Sequence, residues 1–171
     1  MKLNDPVSFA RDFARLLHHD RGQAYDGRPY VVHLDAVVAN LLKFDFIDKE
    51  MLTAGFLHDT MEDTGVSFDT LVDLFGLRVA AMVEGVTDAP GENRKARKAA
   101  TYPKIKATTG ALPIKLADRI SNVEHGLNTG NVRMQKMYAK EQAEFSSQLR
   151  VLGEYDAMWN HLESLLRGDS L

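Results

Sequence analysis

Four ionisable residues fall within six positions of the stretch Ala54-Gly55-Phe56-Leu57-His58-Asp59-Thr60-Met61-Glu62-Asp63-Thr64. The apolar run before them predicts a helix. If that helix continues through the cluster, His58 and Glu62 lie one turn apart on one face, and Asp59 and Asp63 one turn apart on the next. The cluster then sits at a helix C-terminus, where the macrodipole disfavours each carboxylate by about 0.3–1 kcal/mol. A bound cation would relieve that cost. A second histidine, His33, follows Tyr30-Val31-Val32 near the start of another expected helix, and Asp118 sits mid-helix in Ile114-Lys115-Leu116-Ala117-Asp118-Arg119-Ile120-Ser121-Asn122. Read one at a time, each has a plain structural explanation. The cluster is a solvated helix end, His33 a core histidine with one backbone bond, and Asp118 a surface ion pair with Lys115 or Arg119.

Taken together, His33, His58, Asp59 and Asp118 offer two imidazoles and two carboxylates from three helices. Nitrogen and oxygen donors in that ratio suit Mn²⁺, Fe²⁺, Mg²⁺ or Zn²⁺. A divalent ion in such a set activates water for hydrolysis near neutral pH. Glu62 and Asp63, left over from the ligand set, are placed to orient that water or carry its proton. The chain has no cysteine, which removes a thiolate zinc site, an iron–sulfur cluster, a disulfide framework and a cysteine nucleophile together.

The elements that must position these residues read as helices nearly throughout. Asn4 or Asp5 caps a first helix with Pro6 in its first turn, and Phe9, Phe13, Leu16 and Leu17 mark its apolar face. A polar loop is expected from Arg21 to Tyr30. A second helix follows from about Val31 to Phe44, with Val37, Val38, Leu41 and Leu42 inward. Asp48 caps a third, Ser67 a short fourth that ends at Gly76, and Val79 to Val86 reads as a fifth. Glu92 to Thr108 is charged and only partly helical, interrupted by Pro103. Three further helices are expected over Leu112–Leu127, Val132–Leu152 and Tyr155–Leu166. In the last, Trp159, Leu162, Leu165 and Leu166 are core or a face for a second copy of the chain. Strand alternation never persists. The expected fold is all-α, an irregular bundle of about eight or nine helices in one domain over residues 1–171.

The 171 residues are 44% hydrophobic and 26% charged, an ordinary globular composition, with a formal net charge of −3 that argues against a polymeric nucleic acid as partner. No apolar run approaches the roughly 18–20 residues of a membrane span. The N-terminus lacks the apolar centre of a signal peptide, so a cytoplasmic location is expected.

The order His…His-Asp…Asp resembles the signature of the HD-domain metal-dependent phosphohydrolases. More closely, the chain is similar to the hydrolase domain of the RelA/SpoT family and its stand-alone small alarmone hydrolases. The resemblance is carried by Gly27-Arg28-Pro29-Tyr30-Val31-Val32-His33, Phe56-Leu57-His58-Asp59-Thr60-Met61-Glu62-Asp63-Thr64, Phe75-Gly76, Val83-Glu84-Gly85-Val86-Thr87-Asp88 and Lys115-Leu116-Ala117-Asp118-Arg119-Ile120-Ser121-Asn122. It spans about residues 8 to 145, and implies an all-α HD fold that uses Mn²⁺. His33, His58, Asp59 and Asp118 would be the ligands, and Glu62 and Asp63 the catalytic acidic pair. The substrate would be a phosphorylated nucleotide that loses its 3′-diphosphate, as in (p)ppGpp. Asn122 and Tyr138 would lie beside the nucleotide. Six basic residues, Arg94, Lys95, Arg97, Lys98, Lys104 and Lys106, crowd one segment, and the family's basic residues there point to Arg94 and Lys98 as phosphate contacts. Where that family carries an Arg-Lys pair, this chain has Ala24 and Tyr25. Arg21 or Arg28 is a substitute cation, neither of them at the matching position, Tyr25 a ring that can stack on a base, and Glu124 a negative charge close to the phosphates. Two other functions fit the same residues: the same centre acting on another nucleotide, including an NADPH-like phosphate, and a catalytically idle module that binds a nucleotide.

Overall fold

The computed structural model describes residues 5–168. Asp5 caps α1 (Pro6–Asp20) by accepting from the Ser8 N–H, and Pro6 sits in the first turn. The alternative cap, Asn4, lies outside the described residues. A two-stranded antiparallel hairpin follows, β1 (Ala24–Tyr25) and β2 (Arg28–Pro29), in register Tyr25 to Arg28. This replaces the expected polar loop. Asp26 and Gly27 both take positive φ, 53° and 76°, the two left-handed residues that a tight hairpin turn requires.

α2 (Val31–Lys43) buries His33, Leu34, Val37, Val38 and Leu41. α3 (Lys49–Leu57) is capped by Asp48 and is buried from Met51 onward. The two helices approach so closely that a Cβ on Gly55 would meet Leu41 Cδ1 at 2.9 Å. After a break at His58 and Asp59 come α4 (Thr60–Thr64), α5 (Phe68–Phe75, capped by Ser67 and ended by Gly76) and α6 (Leu77–Val86). α7 (Arg94–Ala107), α8 (Ala111–Asn128), α9 (Val132–Leu149) and α10 (Asp156–Arg167) complete the order. The described residues thus form an all-α bundle of nine helices plus the single turn α4, with one minimal hairpin.

α8 is the axis of the bundle. Ile114, Leu116, Ala117 and Ile120 are fully buried, and the helix packs against α2, α6, α7, α9 and α10. Trp159 and Leu162 of α10 are also fully buried, with Leu165 almost so, which makes them core. No helix among the described residues is long and apolar enough to cross a membrane.

Three expectations are corrected. The inward stripe of α1 is Ala10, Ala14 and His18, while Phe9 and Leu16 are exposed and Leu17 half-buried. α1 lies against α3, and small side chains allow the two backbones to approach. Phe9 and Phe13 pack at the side, on Phe75, at ring distances of 5.4 and 5.5 Å. Leu42 is 47% exposed, because the stripe of α2 turns inward through Leu34, Val38 and Leu41 instead. α7 runs unbroken through Pro103. Tyr102 and Ile105, buried on either side of it, anchor the helix to the core and override the proline's missing N–H.

Candidate metal centre

The break after α3 creates the site. The HDxxED stretch is not one helix: His58 ends α3, Asp59 stands before α4, and Glu62 and Asp63 fall in the first turn of α4. The expected carboxylates at a helix C-terminus are therefore at a helix start. Gly65, at φ 75°, closes α4.

Four side chains converge from α2, the break and α8. His33 and His58 are 2% and 1% exposed. Ligand atoms of His33, His58 and Asp118 all lie within 4.8 Å of one another. Asp118 Oδ1 is 3.3 Å from His33 Nε2 and 3.9 Å from His58 Nε2. Asp59 Oδ2 is 2.9 Å from His58 Nε2 and 3.6 Å from His33 Nε2. Outer contacts fix the rings. His58 Nδ1 donates to the Gly55 carbonyl at 2.9 Å, which leaves Nε2 as the free donor atom, and His33 Nδ1 meets Ser121 Oγ at 3.4 Å. His58 Nε2 is buried and has no aligned hydrogen-bond partner, although Asp59 Oδ2 is near. Two electron-pair donors facing one another across a shared point, one of them orphaned, fit a divalent ion held between them.

The charges agree. Burial pulls the His58 imidazole down, but Asp59 and Asp118 beside it outweigh burial and raise it to about 9. The carboxylates thus call for positive charge at this point. Burial works against the charged form of Asp59 and Asp118 too, yet His58 on the first and Lys115 on the second hold both below the usual carboxylate range. Lys115 Nζ lies 3.1 Å from Asp118 Oδ2, the ion pair that the sequence suggested, here half-buried beside the centre. Asn122 Nδ2 donates to Asp118 Oδ1 at 2.6 Å.

Glu62 is exposed, and its Oε2 accepts from the Asp88 N–H at 3.1 Å. Asp63 is half-buried. Burial first, then the charges of Asp59 and Glu62, raise it to about 6.

The expected substrate residues fall into two groups. Lys98, Arg94, Lys115, Asp118 and Tyr138 line one narrow pocket of about 20 Å³. Arg94 is engaged with both oxygens of Glu141, at 2.6 and 3.2 Å, and Lys98 Nζ with Asp88 Oδ1 at 3.0 Å. Burial and neighbouring Lys115 lower the Lys98 ammonium. Tyr138 is buried under the Arg119 guanidinium, 4.9 Å from its ring centre. On the opposite side, Tyr25 donates to Asn122 Oδ1 at 2.8 Å and packs on His33 and His125, at 4.7 and 4.6 Å between ring centres. Arg28 bonds His125 Nδ1 at 3.1 Å, and His125 Nε2 meets Asp26 at 3.0 Å. Tyr25 is therefore fastened to the centre rather than free to stack on a base. Glu124 bonds Asn40 at 3.0 Å and His161 at 3.1 Å, and it lines a pocket of about 150 Å³ together with Tyr25, Arg28 and His125. A groove of 810 Å³ between α9 and α10 carries none of these residues.

Two residues of the site escaped the sequence reading. Tyr30 donates to Asp59 Oδ2 at 2.6 Å, and His18 stacks on Tyr30 at 4.2 Å. Tyr30 was legible as part of the quoted Gly-x-Pro-Tyr motif, one turn before His33. His18 carried only its place four residues after Ala14.

The profile of the HD domain matches residues 10–147. The chain belongs to the HD-domain family. Among its relatives, guanosine-3′,5′-bis(diphosphate) 3′-pyrophosphohydrolase of Aquifex aeolicus is 34% identical over 124 residues, 70% of this chain and 18% of that protein. The guanosine-3′,5′-bis(diphosphate) 3′-pyrophosphohydrolase MESH1 of Danio rerio is 34% identical over 126 residues, 71% of this chain and 67% of that one. A solved structure described as a metazoan ortholog of SpoT that hydrolyzes ppGpp superposes with a TM-score of 0.81 at 25% identity, covering 100% of this chain and 99% of the other.

Proposed function

We propose that this chain is a Mn²⁺-dependent phosphohydrolase that removes the 3′-diphosphate of a guanosine bis-diphosphate, and that residues 1–171 work as one such domain. The observation that carries the reading is the convergence of His33, His58 and Asp118, with Asp59 against both imidazoles and a half-buried carboxyl of raised pKa and two half-buried lysines nearby. The relatives named for this reaction support the choice of substrate. The ion, held by those four residues, would supply Lewis-acid activation of water and neutralise phosphate charge.

The protein's own groups do the rest. Asp63 takes a proton from the attacking water, with Glu62 holding the Asp88 backbone beside it. Water's oxygen bonds to the phosphorus attached to the 3′-oxygen, that P–O bond breaks, and the proton goes to the 3′-oxygen as diphosphate leaves. Lys115 and Lys98 face the charge that grows on phosphate, and Arg94 and Tyr138 line the same pocket. Asn122 links Asp118 to Tyr25, which lines a second pocket with Arg28. A second reading, another phosphorylated nucleotide as substrate, is favoured by one observation: Ala24 brings no charge, and Tyr25 is locked onto His33 and Asn122. A nucleotide panel with diphosphate and phosphate release, Mn²⁺ added, tests both. Preference for ppGpp supports the first reading and preference for a 2′- or 3′-phosphorylated dinucleotide the second. No turnover of any member leaves an idle binding module.

A further inference from the structure

Asp59 occupies the cap position of α4, where an aspartate ordinarily folds its carboxylate back onto the first free N–H groups of the helix. It makes no such bond. Its Oδ2 instead accepts from the Tyr30 hydroxyl at 2.6 Å, and this is the oxygen that faces His58 Nε2 at 2.9 Å and His33 Nε2 at 3.6 Å. A carboxylate oxygen has two lone pairs, so one can take the phenol proton while the other remains for an ion. Tyr30 stands at the start of α2, and its carbonyl accepts from the His33 N–H at 2.9 Å. One turn of chain thus delivers both an imidazole of the centre and the group that aims a carboxylate belonging to another element.

The Tyr30 ring is clamped from α1. The His18 ring lies 4.2 Å away and 16° from parallel. His18 is fully buried, and neither ring nitrogen has a hydrogen-bond partner among the described residues. What this side chain offers its neighbours is a flat face.

We infer that Tyr30 is a positioning residue of the metal centre, setting the Asp59 carboxylate against the two imidazoles before an ion arrives, and that the ring of His18 holds Tyr30 in place for it. The inference rests on reading His33, His58, Asp59 and Asp118 as that centre. Mn²⁺ alone is the probe, titrated calorimetrically into the chelator-treated full chain. Tyr30→Phe keeps the ring and the stack and removes one hydroxyl. Its Mn²⁺ affinity is expected to fall about 10–100-fold, the usual cost of losing a group that orients a ligand. Thermal melting should stay at the parent's value. The Mn²⁺ concentration for half-maximal turnover should rise by a similar factor, with the nucleotide KM unchanged. His18→Phe, which keeps a flat ring, is expected to retain parental affinity, and His18→Ala to lose affinity as Tyr30→Phe does. Parental Mn²⁺ affinity in Tyr30→Phe overturns the inference. Equal losses in His18→Phe and His18→Ala overturn its second half. A parent that binds no Mn²⁺ refutes the metal centre itself, an outcome distinct from either.

Discussion

Replacing Asp63 by asparagine removes the charge proposed to take water's proton while keeping the size of the side chain. The structure separates Asp63 from its neighbour Glu62. Glu62 is exposed and already accepts from the Asp88 N–H, an interaction glutamine can preserve, whereas Asp63 is half-buried with its pKa raised to about 6. A group with that pKa is about half ionised at pH 6 and about nine-tenths at pH 7, basic enough to accept a proton and still mostly ready to do so. General-base help is worth about 10²–10⁴-fold, or roughly 3–5 kcal/mol of barrier. Asp63→Asn should therefore lower kcat by that factor with metal content unchanged, because Asp63 is not one of the four converging ligands. The sign of the pH effect follows. Below about pH 6 Asp63 is protonated and cannot accept, so parental kcat should climb through that pH and level off above it. In Asp63→Asn this acid limb should vanish. Glu62→Gln should cost rate in the same direction but less. The assay is diphosphate release across pH 5–8 at saturating Mn²⁺, beside elemental analysis of each protein. An Asp63→Asn enzyme with undiminished kcat and the same acid limb would refute the assignment.

Other consequences concern the ligands, the core and the specificity wall. His58→Ala should lose the bound ion, since its Nε2 is the orphaned atom facing Asp59; equal metal content in variant and parent, by elemental analysis, sinks the ligand set. His18, held near pKa 4 by burial, binds a proton more readily when unfolded, at about 6.5. Its stabilising effect is full above about pH 6.5 and is lost as pH falls toward 4, by at most about 3 kcal/mol, so denaturant titrations should show a flatter acid decline in His18→Phe. An unaltered slope would mean that His18 finds a partner for its proton in the folded chain. The double variant Ala24→Arg, Tyr25→Lys frees Asn122 from the tyrosine and adds two cations. Charge-assisted hydrogen bonds are worth about 1.5–3 kcal/mol each, so the ratio of kcat/KM for ppGpp over the best competing nucleotide should rise tenfold or more. An unmoved ratio places recognition in the Lys98 and Arg94 cleft instead.

The helices were legible because their signals are local. Asp5, Asp48 and Ser67 cap the helices expected of them, and Val37, Val38 and Leu41 of α2 and Trp159, Leu162 and Leu165 of α10 are buried as their spacing predicts. The four converging residues could be proposed because imidazole and carboxylate are rare choices among apolar neighbours. What stayed hidden depends on tertiary packing. The break at His58 and Asp59 has no glycine or proline to announce it; it follows from both side chains turning toward α2 and α8. Pro103 signals a helix end, yet α7 continues because Tyr102 and Ile105 are anchored. The Asp26-Gly27 turn was readable as a hairpin signal, but strands of two residues leave no alternation to detect. Glu124 shares a pocket with Tyr25 and Arg28, but its partners Asn40 and His161, far away in sequence, were not legible.

The central claim is a metal-dependent hydrolysis centred on His33, His58, Asp59 and Asp118. Its most direct test is diphosphate release from ppGpp by chelator-treated protein, before and after Mn²⁺ is added back. The expected result is negligible turnover without the ion and restoration that saturates at about one Mn²⁺ per chain, the capacity of a single four-ligand site. Turnover that survives chelation, or restoration that persists when Asp118 is changed to asparagine, would contradict it.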